Sequence, residues 1–363
     1  MYNYAVMLLN GDRIQVNQKE GLIYMKMAAD KGNVDAALNY AIMLDKGDRI
    51  QCNVNEAAFY YKIAADKGNV EAMYYYANML YNRAGIPTDK AKAAYYYKMA
   101  ADKGFVYAMF NYAILSLNGD GIPINQEDAA RYFKMAADNG HISAFNNYAT
   151  MVYKGNCVTQ NKEEAVKYFK IGIEKGNILS MFNYAVLLSK GDGYPIDKKE
   201  AAVYFKMSAD NGYVESMHVY AVMLYHGDVI PLNKNEAIKY FKMAADNGHA
   251  EAAFNYAIIL NKGDGIPVNK KEALFYHKIA ANHGHAEAAY NYAAMLQIGV
   301  AGQPNPEEES RYYKMAADKG FIYAMFNYAC NLADGYGVQV NKKDAAYYFK
   351  MAADKGYPKA MFK

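Results

Sequence analysis

The stretch YFKMAADNGHAEAAFNYA, residues 240–257, recurs along the chain with few changes, as YYKMAADKGFVYAMFNYA at 96–113 and YYKMAADKGFIYAMFNYA at 312–329. Its glycine sets the period. Glycine stands at 32, 68, 104, 140, 176, 212, 248, 284, 320 and 356, a step of 36 residues. Tyrosines keep that step from Tyr4 to Tyr328 and from Tyr24 to Tyr348, and lysines from Lys26 to Lys350. Self-similarity at this length marks stacked supersecondary units, none of which can bury its apolar face alone. The 363 residues therefore read as a single quasi-linear array of ten repeats, residues 1–363, rather than several globular domains.

Residues 34–69 show how one unit is built. Ala37, Tyr40, Ala41 and Leu44 fall on one face at helical spacing, which predicts a first helix, A. Gly47 follows its last turn, where a left-handed residue ends a helix. After a loop, Asn53 is followed three residues on by Glu56. This is a capping box, in which the Asn side chain takes an orphan amide and the Glu reaches back. Asn or Asp holds this place in every repeat from Asn17 to Asn341, and only Asp89 lacks the acid, having Lys92 instead. A second helix, B, then runs to Gly68. Prolines 87, 123, 195, 231 and 267 stand in the loops, where they stiffen the chain without breaking a helix.

The pattern Ala36, Tyr40-Ala41, Gly47, the loop GDGIPVNKKEA at 263–273 and the run YFKMAADNG at 240–248 resemble the Sel-1-like repeat family, a relative of the tetratricopeptide repeat. The resemblance covers the chain end to end. It implies an all-α fold, an α/α solenoid wound as a right-handed superhelix of ten helix-turn-helix units. There are two departures: Tyr40-Ala41 with Leu44 stand where the family has Leu-Gly and then Tyr, a Leu/Tyr exchange that roughly keeps volume, and Tyr60 stands for its helix-B tryptophan. The resemblance also implies a non-enzymatic scaffold or adaptor for protein or peptide partners. An alternative is a regulatory or oligomerising region of a larger protein, one containing a kinase for example, or a head-to-tail filament.

Composition narrows the partners. Forty basic and 37 acidic side chains interleave to a net charge of +3, with no basic stripe for nucleic acid. No apolar run reaches membrane-spanning length, and no signal peptide opens the chain. Cys52, Cys157 and Cys330 occupy non-equivalent repeat positions, unlike the cysteine pair per repeat of secreted bacterial family members. A reducing, cytoplasmic setting fits.

Most chemistry-bearing residues read as structural. Lys26 recurs ten times without a general base or phosphate loop beside it. Lys62 and Asp66 are four apart in the weaker order for a helical pair, so at least one is expected to touch a neighbouring repeat. His249, His277, His283 and His285 cluster in sequence, but equivalent places on stacked pairs lie about a helix packing distance apart, too far for one metal. The GDG loops at 191–193 and 263–265 lack the further carboxylates of a calcium loop and read as a helix stop plus a turn. No catalytic residue, cofactor site or metal site is expected.

One column is not explained this way. Position 39 carries Asn3, Asn39, Asn111, Asn147, Asn183, Asn255, Asn291 and Asn327, broken only by Tyr75 and Val219. Helical rotation puts it about 150° from the centre of the core face. Asn is a poor interior helix residue. Other outward positions have drifted: Asp35 matches Tyr107, Ser143 and Leu179. The tetratricopeptide resemblance places helix A on a concave side, so these asparagines are candidate partner-binding residues that clamp the backbone of an extended peptide. The apolar column of Ile42, Ile114, Val186, Val222 and Ile258 would receive its side chains. The alternative is a ladder of asparagines bonded from repeat to repeat. Irregular backbone is expected only in the loops at 82–89, 155–161 and 299–309. Met1 falls in mid-helix A phase, and the terminal PKAMFK just begins another helix A. The chain thus reads as a piece of a longer array, or as two stubs able to associate end to end.

Overall fold

The structure, a computed structural model, describes residues 1–363 except 83–85, 156–158, 192–193, 301 and 363, with the backbone alone at 361–362. Among the described residues are twenty α-helices, a short 3-10 helix at Pro358–Phe362 and no strand. The helices alternate as A and B. In the second repeat A is Val34–Lys46 and B is Val54–Asp66, and the next A begins at Val70. The turn through Gly68 is therefore much shorter than the A-to-B loop, as the glycine spacing predicted.

Each pair buries small residues against rings. Ala36, Ala37, Tyr40, Ala41 and Leu44 of helix A meet Ala57, Tyr60, Tyr61, Ala64 and Ala65 of helix B, all buried. The alanines let the helix axes approach, and the tyrosines fill the volume a tryptophan would otherwise take. The chain divides into two compact units, Met1–Ser180 and Met181–Lys363, with the boundary inside the helix Ile178–Lys190.

The helix stops follow the sequence. Gly47 has φ 69°, and its amide bonds the Met43 carbonyl. All ten B helices start on an Asn or Asp whose side chain accepts the amide three residues on. The reciprocal half of the box differs from expectation. The Asn53 amide N–H bonds the Leu44 carbonyl of helix A, so it needs no help from Glu56. One Glu56 oxygen instead accepts from the Asn53 side-chain amide at 3.2 Å, and the other turns to the preceding repeat.

Irregular backbone is not confined to the three expected loops, parts of which (83–85, 156–158 and 301) lie outside the described residues. Arg13 and Arg49 are left-handed, at φ 63° and 64°, where Gly121, Gly265 and Gly337 stand in later repeats. Arg49 is held by donating to the Leu9 carbonyl at 3.0 Å. Gly337 has no such freedom: a Cβ there would sit 1.9 Å from the Pro306 carbonyl oxygen.

Candidate partner-binding face

The recurring tyrosine, lysine and acids join successive repeats. The helix-B tyrosine donates to the aspartate 30 residues earlier, at the end of the previous helix B: Tyr60 to Asp30 at 2.5 Å, Tyr96 to Asp66 at 2.7 Å, Tyr168 to Asp138 at 2.6 Å, Tyr276 to Asp246 at 2.6 Å and Tyr348 to Asp318 at 2.6 Å. Tyr132 pairs with Asp102 and Tyr240 with Asp210 in the same way, and Tyr312 uses Asn282. In some repeats the recurring lysine bridges forward to the capping acid, Lys134 to Glu164 at 3.0 Å and Lys278 to Glu308 at 2.7 Å, and in others, as at Lys98 and Lys314, it pairs with the aspartate of its own helix. The helix-A tyrosine shares that acid, Tyr148 donating to Glu164 at 2.9 Å. These accepting oxygens are the partners that the hydroxyls of buried tyrosines require. As expected, Asp66 reaches a neighbouring repeat while also pairing with Lys62. The Lys134 hydrogen bond holds Glu164 below the usual carboxylate range, against burial and with help from Tyr148. Exposed lysine pairs of this kind contribute roughly 0–1 kcal/mol each, and the partly buried tyrosine bonds about 1 kcal/mol.

Two of the clustered histidines start helices, and His283 ends one. His249 and His285 accept the amides of Ala252 and Ala288 through Nδ1, both at 3.1 Å. His277 lies in the core, 1% exposed, in a place that other repeats fill with Phe or Tyr. Its Nδ1 has no partner, and burial, with His285 nearby, pushes its pKa down to about 4. Among the described residues no group of His, Cys, Asp or Glu could hold a metal ion. Cys52 is exposed, Cys330 half-buried, and Cys157 lies outside the described residues, as does most of the GDG at 191–193.

The asparagine column does not face away from the protein. Asn39, Asn111, Asn147, Asn183, Asn255, Asn291 and Asn327 are all half-buried, and only Asn3 is exposed. The reason is the preceding repeat, which a single-helix projection omits. Asn39 donates to the Tyr2 hydroxyl at 2.7 Å, and the Asn255 amide meets His218 Nε2 at 3.3 Å, both on the previous helix A. Asn111 and Asn327 instead lie beside Tyr97 and Tyr313, on the previous helix B, whose hydroxyls donate to Asn78 and to Gln297. Asn147 accepts from the Asn146 side chain at 3.4 Å. Column members thus bond different partners, and these bonds do not form an asparagine-to-asparagine ladder. Ile42, Ile114, Val186, Val222 and Ile258 are half-buried beside them. Asn111, Asn78, Tyr97 and Ile114 line a cavity of about 180 Å³.

Sequence reasoning missed the rings flanking this column. Tyr107, four residues before Asn111 and so on the same helix face, is 59% exposed, and Tyr323 holds the equivalent place before Asn327. The available signal was the near-identity of 96–113 and 312–329, which repeats a Phe-x-Tyr entry to helix A.

Paired helices, joined repeat to repeat by side chains about one period apart, define a helical-repeat protein. The Sel1 repeat pattern matches ten consecutive segments, from residues 1–33 and 34–69 through 322–357, and the chain belongs to the Sel1 repeat family. Proteins of this class generally mediate protein–protein interaction and are typically non-enzymatic. Among solved structures, a protective antigen of uropathogenic Escherichia coli with an SLR fold is similar at TM-score 0.72 and 22% identity, over 99% of this chain and 77% of that one. A Sel1 repeat protein from Oxalobacter formigenes is similar at TM-score 0.62 and 20% identity, over 83% of this chain and 87% of that one. A comparison with curated proteins gave no match. Among the described residues no helix is long and apolar enough to cross a membrane.

Proposed function

We propose that this chain is a non-enzymatic interaction scaffold, a single array that holds an extended protein segment against its helix-A face in a reducing, cytoplasmic setting. The observation that carries the reading is the cavity at Asn111, where an amide, the Asn78 amide and the Tyr97 hydroxyl stand beside the apolar wall of Ile114. Amides supply both donors and an acceptor, which suits the backbone of a bound peptide, while the wall suits a side chain. The test replaces Asn111, Asn147 and Asn183 by Ala and captures partners from cell extract with the full chain. Capture should fall while the melting temperature holds. Reduced stability with capture unchanged would make the column structural.

A second reading has its own observation. Asn39 and Asn255 bond the neighbouring helix A, so these two members tie repeats together whatever the others bind.

A further inference from the structure

Three repeats place a histidine just before helix A, at His141, His249 and His285, where Asn33, Asn69 and Asn177 stand in others. Each of those asparagines accepts the amide three residues on. His249 and His285 do the same through Nδ1, on Ala252 and Ala288. His141 does not, and its Nδ1 has no partner. The difference does not lie in how the ring is seated. His141 stacks on Phe110 at 4.2 Å and 18°, and His285 on Phe254 at 4.2 Å and 19°. It lies in what the far side of the ring meets, 34 residues back on the preceding helix A. His249 Nε2 is 3.2 Å from Glu215 and His285 Nε2 is 3.2 Å from Glu251, whereas His141 meets Tyr107.

Only one protonation state satisfies both nitrogens of His249 and His285. A carboxylate accepts, so Nε2 carries the hydrogen; a backbone amide donates, so Nδ1 carries none. The carboxylate thereby selects the tautomer that can cap the helix. Histidine changes charge between about pH 5 and 8. On protonation Nδ1 gains a hydrogen that points at the hydrogen of the Ala252 or Ala288 amide, and the cap is lost. The new positive charge also stands at a helix N-terminus, the end that disfavours it. An asparagine in the same place has no proton to gain.

We propose that Glu215–His249 and Glu251–His285 are a pair of acid-released helix caps. They hold the first turns of Ala250–Lys262 and Ala286–Gln297 at neutral pH and free them on acidification, a switch that goes beyond the scaffold reading and does not depend on it. The glutamates keep each charged ring by its Nε2, so the ring stays seated while the amide is released. The other groups around His249 are His218, Glu251 of its own helix, and His283, which lies over Gly248. His218 stacks on His249 at 4.5 Å, and its Nε2 accepts from the Asn255 amide. Burial, and then His249, push the His218 pKa down, so a proton on His249 keeps His218 neutral. Around His285 are His277 in the core, Glu287 of its own helix, and Lys319, which lies over Gly284. Asn255 and Asn291 stand on the two capped helices, so the switch acts on the face assigned above to partners.

The test is hydrogen exchange of the full chain by mass spectrometry, read as protection factors between pH 7.5 and 5.0. Protection across 250–256 and 286–292 should fall at least tenfold with acid, while 142–148, behind the uncapped His141, should not change. His249→Asn with His285→Asn restores the cap used in other repeats and should keep full protection at both ends of the range. Glu215→Gln with Glu251→Gln should move the midpoint of the loss to lower pH, because the charged rings lose their counter-charge; glutamates with a merely structural role would leave the midpoint in place. Repeating the comparison with His277→Phe keeps the titration of that core ring out of the result. The inference is overturned if acid leaves protection at 250–256 and 286–292 unchanged or raises it, if the asparagine variant loses protection as the wild type does, or if the glutamine variant has an unmoved midpoint. The readout needs no partner, so none of these results touches the scaffold reading.

Discussion

Two polar columns run through the repeats of both units, and they are held in different ways. The helix-B tyrosines meet the same kind of partner at the same separation, an acid or its amide 30 residues earlier, in eight repeats from Tyr60–Asp30 to Tyr348–Asp318. The helix-A asparagines recur in all repeats but two, yet bond a tyrosine of helix A, a histidine or an adjacent asparagine, or lie beside a tyrosine of helix B. A residue kept together with its bond is explained by the bond. A residue kept while its bonds change is not explained by any one of them.

The sharpest way to break this contrast is to remove one tyrosine. Tyr132 is 1% exposed, so Tyr132→Ala should cost about 3–5 kcal/mol in local stability, read by amide exchange across its repeat. Tyr132→Phe should cost only about 1 kcal/mol, since the ring remains and only the bond to Asp102 goes. An alanine variant as stable as wild type would show that this column does not hold the repeats together.

The next effect depends on pH. His277 packs in the same repeat position as Tyr97 and Tyr313, beside which Asn111 and Asn327 lie. Its folded pKa is about 4, below the ordinary histidine value of 6.5, so the unfolded chain binds the proton first. Its stabilising contribution is therefore complete above pH 6.5 and is lost as pH falls toward 4, by at most about 3 kcal/mol. His277→Phe should flatten the urea midpoint over that range. An unchanged pH profile would place the titration elsewhere.

Helix caps give a smaller effect. Asn125→Ala removes the acceptor for the Asp128 amide, bonded at 3.0 Å, and should cost about 1 kcal/mol. The smallest is Asn111→Ala. The lost contact with Tyr97 is offset in part by the better helix propensity of alanine, so the change should stay within roughly 1 kcal/mol. A loss as large as that of Tyr132→Ala would erase the distinction between the columns.

The sequence was enough to read the helix pairs, the caps and the short glycine turn, because each depends on residues within one period. Tyr40, Ala41, Gly47 and Asn53 carry their meaning locally. The exposure of Asn39 was misjudged because its neighbour Tyr2 belongs to another repeat, and a helical wheel has no second helix. The other tie of Glu56 was out of reach for the same reason, its partner being Lys26 of the repeat before. Tyr107 was passed over because one exposed tyrosine carries no signal; it packs in a row of rings gathered from two successive repeats. The left-handed Arg13 and Arg49 went unforeseen because the residues that hold them, such as Leu9 for Arg49, are distant in sequence.

The 30-residue reach of the tyrosine bonds has a mechanical consequence. Every such tie connects a repeat only to its neighbour, so within a unit no bond of this kind clamps distant parts of the chain against tension. Pulled from its ends, a unit should therefore peel rather than burst. Each rupture should free one 36-residue period, about 120 Å of contour length, giving an evenly spaced sawtooth of low and similar force peaks.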